Sequence, residues 1–298
     1  MKPPLFLSLR PMVLVCNMAQ LHMFSLKTHH TMAHFFNTCV APLFVPATRP
    51  DRFAKAAQSG ADAVIIDLED AVAADEKAKA RAALTKNMLP DGALLFRINA
   101  VSAQWFKDDI AAVASLDINC VMLAKTEGID DIAQVRAIAP NMRVIALIET
   151  AKGMANARAI AAAGPVRLAF GSLDYCVDLG CAHDRDALLA ARSELVLASR
   201  LAGIAPPIDG VTAQIGDDAA VQSDAVYAAV LGFSGKLCVH PTQIAPVKLV
   251  FAPSAKDVAW AACILASSTD GVAMVDGMMV DGPVRLRAQA IMARAARL

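Results

Sequence analysis

The sequence predicts a (β/α)8 barrel (TIM barrel) of the α/β class, followed by a C-terminal helical extension. From Ala41 onward, eight short apolar segments alternate with Ala-rich segments of helical period, and this is the element count of such a barrel. Apolar residues make up 56% of the 298 residues and aromatic residues only 5%. A core of small branched side chains suits parallel strands that helices cover. The alternative, a doubly wound sheet, usually needs fewer strands, and no G-x-G-x-x-G pattern follows the first strand.

The predicted strands are short, often β-branched runs bounded by turn residues. They span residues 42–46, 63–68, 94–98, 120–124, 143–148, 166–170, 207–211 and 236–239. Helices are predicted between them at 52–59, 75–88, 103–115, 129–139, 154–163, 186–201 and 217–231, with a C-terminal helix at 256–268 and a last segment at 283–298. No long Pro- or Ser-rich linker interrupts residues 41–298, so we expect one domain there.

Residues 1–40 differ from the rest in composition. They contain no Asp or Glu, five of the 13 Met and four of the six His. A secretory signal is disfavoured because Pro11 interrupts the apolar run, whereas a transit peptide would fit the missing acids. The interpretation that we favour is an extended or mis-set start, a leader outside the core, with the folded domain beginning near Ala41.

Composition also bears on partners and compartment. Lys and Arg balance Asp and Glu at 28 each, which argues against sequence-independent nucleic-acid binding, since that needs a basic surplus. No apolar run approaches the ~18 residues of a membrane helix. Seven cysteines without C-x-x-C spacing indicate a reducing compartment, and we expect a cytoplasmic protein.

Polar residues follow the predicted strands where a barrel places its chemistry, at the C-terminal strand ends. They are Glu69 and Asp70, Arg97, Lys125, Glu149, Asp174 and His240. Glu149 and Asp174 end adjacent strands, and hard carboxylate oxygens with no soft ligand nearby favour Mg²⁺.

Several of these residues also have an alternative interpretation. An acid after a strand is often only a helix N-cap. The partner of Arg97 is a substrate carboxylate or Glu149, or else a structural ion pair with Glu69 or Asp70. Lys125 is an alternative nucleophile.

Six segments in order resemble the citrate lyase beta-subunit-like branch of the HpcH/HpaI aldolase family. They are LFVP at 43–46 with Arg49, Pro50 and Phe53, then DLEDAV at 67–72, FRIN at 96–99, IET at 148–150, GSLD at 171–174 and HPTQ at 240–243. The resemblance implies an oligomeric, Mg²⁺-dependent carbon–carbon lyase that acts on acyl-CoA thioesters such as malyl-, citramalyl- or citryl-type compounds.

The resemblance also implies roles for single residues. Glu149 and Asp174 match metal ligands, and Arg97 matches the arginine that binds the oxo-acid carboxylate. Glu69 and Asp70 match acids that hold the waters of the metal. Phe44, Arg49, His240 and Pro241 match the CoA side, although His240 also fits a structural hydrogen-bonding role. Asp281 matches the acid/base that reaches the site of a neighbouring subunit; its plainer interpretation is a cap of the last helix.

Three positions depart from the family pattern. Ala47 stands where Gly is usual, Gln214 where an acid is common, and Gly282 where Arg is usual.

The reaction that the resemblance implies releases an acyl-CoA and a 2-oxo acid. The resemblance also implies a homo-oligomer, a trimer or a hexamer. The alternatives are a CoA-independent metal-dependent aldolase and a non-catalytic acyl-CoA-binding paralogue.

Overall fold

Seven parallel strands follow one another in chain order around a curved sheet in the computed structural model, which describes residues 36–267, 273–275 and 278–296. The strands are β1 Leu43–Pro46, β2 Val64–Asp67, β3 Leu94–Ile98, β4 Cys120–Leu123, β5 Arg143–Ile148, β6 Arg167–Phe170 and β7 Ala205–Ile208. Residues 236–238 close the barrel through two isolated parallel bridges, Asp209 with Lys236 and Leu43 with Cys238. We call residues 236–239 the closing segment. The barrel prediction is confirmed, with its eighth strand reduced to these bridges.

Every residue of β2, β4 and β6 is buried. Burial on both faces explains the continuous apolar sequence of these strands. In β2, Ile65 points into the barrel interior, whereas Val64 and Ile66 pack outward against the helices. The same alternation in the other strands produces an inner and an outer apolar layer.

Helices cover the barrel and extend past its closure. They are α1 Phe53–Ala57, α2 Lys77–Ala83, α3 Phe106–Ser115, α4 Ile129–Ile138, α5 Ala151–Ala155, α6 Ala157–Ala162, α7 Ser172–Leu179, α8 Arg185–Leu201, α9 Asp218–Leu231, α10 Ile244–Phe251, α11 Ala255–Ala266 and α12 Gly282–Ala295. A short hairpin, β8 Ala273–Val275 and β9 Met278–Val280, precedes α12. Helices α11 and α12 pack on each other through a separate apolar cluster that includes Ala261, Ile264 and Ile291.

The segment Pro241–Ala266 has the length and mean hydropathy, 1.4, of a candidate membrane span. The structure divides it, because the backbone is extended at Ala252, just before Pro253. Each resulting helix is shorter than the ~20 residues that cross a bilayer.

The barrel takes in residues 36–40, ahead of the start expected at Ala41. Phe36 is 1% exposed and packs with Cys39 in the inner apolar layer. The guanidinium of Arg167, fully buried, donates hydrogen bonds to the carbonyls of Phe36 (3.2 Å) and Cys39 (2.6 Å). The expectation that all of residues 1–40 stand outside the core is therefore wrong for residues 36–40, and residues 1–35 lie outside the described residues.

Candidate active site

The carboxyl ends of the strands surround a cavity of about 410 Å³. Its charged lining consists of Asp67, Asp70, Arg97, Glu149 and Asp174. Four of these five were expected at the site from the sequence. The fifth, Asp67, was not, and it holds the arginine in place.

Arg97 and Asp67 form a two-pronged ion pair across adjacent strands. They are register partners on β2 and β3, and Nε and Nη2 of Arg97 lie 2.8 and 2.5 Å from the two carboxylate oxygens of Asp67. Nη1 lies 3.2 Å from Glu69, and the guanidinium stacks 5.0 Å above the ring of Phe44. Burial alone would lower the pKa of Arg97, but the bonds and charge of Asp67, with Glu69, raise it above its ordinary value. Arg97 is therefore a fixed positive charge in the cavity at the carboxyl ends of the strands.

Lys125 is a charged ion-pair partner. Its Nζ contacts the Glu69 carboxylate and lies 3.6 Å from Asp70. Burial opposes the charge, but the hydrogen bond to Glu69 and the surrounding acids raise the pKa of Lys125 to about 12. A nucleophilic lysine must be neutral, so the geometry argues against the alternative role considered for this residue.

Glu149 is the most buried acid of the cavity, at 1% exposure. Its Oε1 accepts a hydrogen bond from the backbone N–H of Lys125 at 2.8 Å, which Lys125 presents from a left-handed backbone conformation with φ of 46°. Its Oε2 is buried and has no hydrogen-bond partner among the described residues. Burial, followed by the nearby charges of Glu69 and Asp174, raises the pKa of Glu149 to about 8, although Arg97 and Lys125 lower it.

Gly171 makes room for this carboxyl group. A Cβ at position 171 would clash with both Oε2 and Cβ of Glu149, so no larger residue fits without displacing the acid. The same glycine precedes α7, whose first turn carries the half-buried Asp174 into the cavity.

These residues fit a magnesium ion. The orphaned Oε2 of Glu149 and the carboxylate of Asp174 are hard oxygen donors that line one cavity. No cluster of three or more potential metal ligands occurs within the described ranges. Mg²⁺ is typically held by one or two carboxylates and completes its shell with waters and substrate oxygens, so two acids suffice.

The residues expected on the CoA side are placed unevenly. Phe44 lines the cavity. The exposed Arg49 pairs with Asp51 through two hydrogen bonds of 2.9 and 2.7 Å. His240 caps the turn Pro241–Gln243, with its Nδ1 2.9 Å from Thr242 Oγ1. The structure gives neither Arg49 nor His240 a place in the cavity lining.

Asp281 lies at the N-terminus of α12. Its Oδ1 accepts a hydrogen bond from the N–H of Val284 at 3.1 Å, and it is not among the residues that line the cavity of its own chain. The structure thus shows the helix cap that the sequence allowed.

The sequence pattern of the HpcH/HpaI aldolase/citrate lyase family matches residues 41–241. The chain belongs to this family. A family relative, the citrate lyase subunit beta-like protein of Mycobacterium tuberculosis, is 40% identical over 263 residues, which cover 85% of this chain and 94% of the relative. The (3S)-malyl-CoA thioesterase of Cereibacter sphaeroides is 31% identical over 89% of this chain and 97% of its own.

A solved structure of the family shows the same fold. The crystal structure of CitE from Mycobacterium tuberculosis in complex with magnesium, acetoacetate and coenzyme A superposes with a TM-score of 0.76 at 36% identity, and the match covers 87% of this chain and 99% of that one. The family resemblance found in the sequence is confirmed.

Proposed function

We propose that the protein is a Mg²⁺-dependent carbon–carbon lyase that cleaves a 3-hydroxyacyl-CoA thioester into an acyl-CoA and a 2-oxo acid. The observation that carries the proposal is the meeting of the unpartnered Glu149 oxygen, Asp174 and Arg97 in one cavity. The magnesium and coenzyme A bound by the CitE relative support it.

In this proposal, the acidic residues would hold the metal ion and its waters, and Arg97 would bind the substrate. Glu149 and Asp174 would hold Mg²⁺, which when bound supplies Lewis-acid stabilisation of the developing alkoxide. Glu69 and Asp70 would accept hydrogen bonds from the waters of the ion. A guanidinium has five N–H groups, so Arg97 keeps donors for the substrate carboxylate after both bonds to Asp67. Asp67 fixes the position of the Arg97 guanidinium before the substrate binds, and this is electrostatic preorganisation.

The cleavage also needs a proton donor. When the bond between C2 and C3 of the thioester breaks, the C3 hydroxyl loses its proton and becomes the keto group of the oxo acid. The bonding electron pair becomes a thioester enolate, and C2 takes up one proton, so that protons balance overall. Asp281 from a neighbouring copy is the proposed donor, in a homo-oligomeric trimer or hexamer. Phe44, Arg49, His240 and Pro241 would contact CoA, and the compartment would be the cytoplasm.

The direct test is to incubate malyl-, citramalyl- and methylmalyl-CoA with the protein and Mg²⁺ and to measure both products. We expect equimolar 2-oxo acid and acyl-CoA, with no turnover in chelator. Glu149→Ala and Asp174→Ala should each abolish the activity while circular dichroism shows a folded barrel. Unchanged turnover at saturating substrate in either variant would overturn the metal assignment.

Thioester hydrolysis is the second candidate, favoured by the 31% identical malyl-CoA thioesterase. Hydrolysis releases free CoA and malate with no oxo acid, so the same product measurement separates the two reactions. A CoA-independent aldolase would instead cleave a free hydroxy acid. A non-catalytic paralogue would bind acyl-CoA and yield no product.

A further inference from the structure

The cavity has two sides of different chemistry, and their positions follow from the strand order. The charged residues Asp67 and Arg97 lie on β2 and β3, and Glu149 directly follows β5. Apart from Ser172 and Asp174 in the first turn of α7, the part of the wall from β6 through the closing segment to β1 is apolar: Phe170, Val211, Leu237, Val239 and Phe44. In a closed barrel these positions are continuous around the mouth, so a substrate meets charges on one side and hydrocarbon on the other.

The charged side has one cation in its described lining, Arg97, against four carboxylates. Arg97 and a bound divalent ion would together provide positive charge for one substrate carboxylate. Neighbouring lysines add nothing, because each is already held. Lys125 pairs with Glu69, and Lys236 donates to Asp209 and to the carbonyl of Gly210.

The described lining of the apolar side offers no cation to a second carboxylate, and its charged neighbour Asp174 is an acid that would repel one. The hydroxyl in the described lining, Ser172 Oγ, is 2.9 Å from the Nε2 atom of His183. A carboxylate pushed against Val211, Leu237 and Val239 would lose its water without gaining a partner, which is the costly case for a buried charge. A hydrogen atom or a methyl group in the same place would gain apolar contact.

We infer that the substrate carries a single free carboxylate at the reacting carbon, beside a hydrogen atom or a short alkyl group, and that Val211 and Val239 set this preference. This rests on the proposed lyase function and makes it narrower. The oxo acid released would be a monocarboxylate with a small apolar substituent, and a citryl-type thioester with a second carboxymethyl group would be a poor substrate.

The first experiment compares citramalyl-CoA with citryl-CoA, which differ by a methyl against a carboxymethyl group at the same carbon. We expect kcat/KM for citramalyl-CoA to be higher by roughly 10- to 100-fold, the worth of a missing hydrogen bond to a charged group. Calorimetric titration of pyruvate and oxaloacetate in Mg²⁺ gives a readout that needs no turnover, and pyruvate should bind about 10-fold more tightly.

Variants locate the preference. Val211→Arg adds a cation to the half-buried apolar wall, and Val211→Met adds length without charge. Val211→Arg should narrow or reverse the preference in binding affinity for pyruvate over oxaloacetate, and Val211→Met should keep that preference. Val239→Arg and Val239→Met, at a more exposed position of the same wall, repeat the comparison if Val211→Arg does not fold.

The outcomes separate this inference from the proposed function. Equal or better cleavage of citryl-CoA, or tighter binding of oxaloacetate by the unmodified protein, overturns the inference while lyase activity stands. If no thioester is cleaved, the lyase proposal fails, and the calorimetric comparison of the two oxo acids still decides the inference.

Discussion

Glu149 occupies its place at a cost in free energy that the rest of the site must offset. Its carboxyl is buried, one oxygen is held by a single backbone N–H, and the other is unpaired among the described residues. Moving its pKa from 4.5 to about 8 corresponds to roughly 5 kcal/mol against the ionised form. A cation beside Oε2 would reverse that penalty, because an adjacent positive charge favours the carboxylate.

Stability should therefore fall with pH through this residue in the metal-free protein. Because the folded-state pKa is raised, the contribution of Glu149 is fully present below pH 4.5 and is lost progressively up to about pH 8. Glu149→Gln removes the ionisation, so at pH 8.5 without Mg²⁺ we expect a melting temperature several degrees above that of the unmodified protein. At pH 5 the gap should shrink.

The matching readout is the Mg²⁺-induced rise in melting temperature. It should grow with pH up to about 8 in the unmodified protein and vanish in Glu149→Gln. If Glu149→Gln shows no pH-dependent stability gain, its carboxyl is not the strained group that we describe.

Gly171→Ala should damage the site from outside the set of charged residues. Its methyl group would occupy the space of Glu149, so the carboxyl must shift and Mg²⁺ affinity should drop at least ~10-fold, with a stability loss of about 1–3 kcal/mol typical of overpacking. Gly128→Ala is the control, since a Cβ there meets nothing within 4 Å. Calorimetric Mg²⁺ binding by both variants decides the matter, and equal affinities would contradict the steric argument.

At the scale of elements, Asp281 has an observed role as the N-cap of α12 and a proposed role as an acid/base. The N-cap hydrogen bond from Val284 N–H to Asp281 secures α12, and such a cap is worth about 1 kcal/mol. Asparagine caps a helix as well as aspartate does but cannot act as an acid/base.

Asp281→Asn therefore separates the two roles. We expect an unchanged melting temperature and turnover reduced by ~10²–10⁴-fold, whereas Asp281→Ala should lose both activity and about 1 kcal/mol of stability. Mixing Asp281→Asn with Arg97→Ala subunits should restore part of the activity, because a hybrid interface joins an intact Arg97 to an intact Asp281. Full turnover by Asp281→Asn would leave the residue as a cap alone.

The sequence predicted elements well where local pattern decides them. Strands buried on both faces appear as apolar runs, and each was located to within a few residues. The single helix expected at 154–163 is instead α5 and α6, since Thr150 caps an earlier start and the backbone leaves helical geometry at Asn156. Helices α7 and α10 were not predicted at all. Asp67 was missed as a site residue because its role depends on strand register with Arg97, which the sequence alone does not display.

At the scale of the whole molecule, the end of the barrel where the strands begin also contributes to stability. We call this end, opposite the active site, the floor of the barrel. Arg167 sits there with carbonyl acceptors in place of a carboxylate: those of Phe36 and Cys39, and that of Pro206 at 2.8 Å. Burial lowers the pKa of Arg167 to about 10, so the guanidinium stays charged at neutral pH and depends on these acceptors.

Removing them should destabilise the barrel at a distance from the site. We expect a protein lacking residues 1–35 to keep its melting temperature, and one lacking residues 1–40 to lose more than ~3 kcal/mol of unfolding free energy, since it loses the buried Phe36 and two acceptors of a buried charge. Denaturant unfolding of the two truncated proteins makes the comparison. Equal stability would mean that residues 36–40 are dispensable.

The floor contact also has a consequence for biosynthesis. Cys39 and Arg167 are 128 positions apart, so the carbonyl of Cys39 cannot meet the guanidinium until 128 further residues have been synthesised. Contacts of such sequence separation form late and slowly, because the loop between them must first be closed. The first described residues of the barrel are thus among the last to be locked, and until then the inner apolar layer is open at the end opposite the active site.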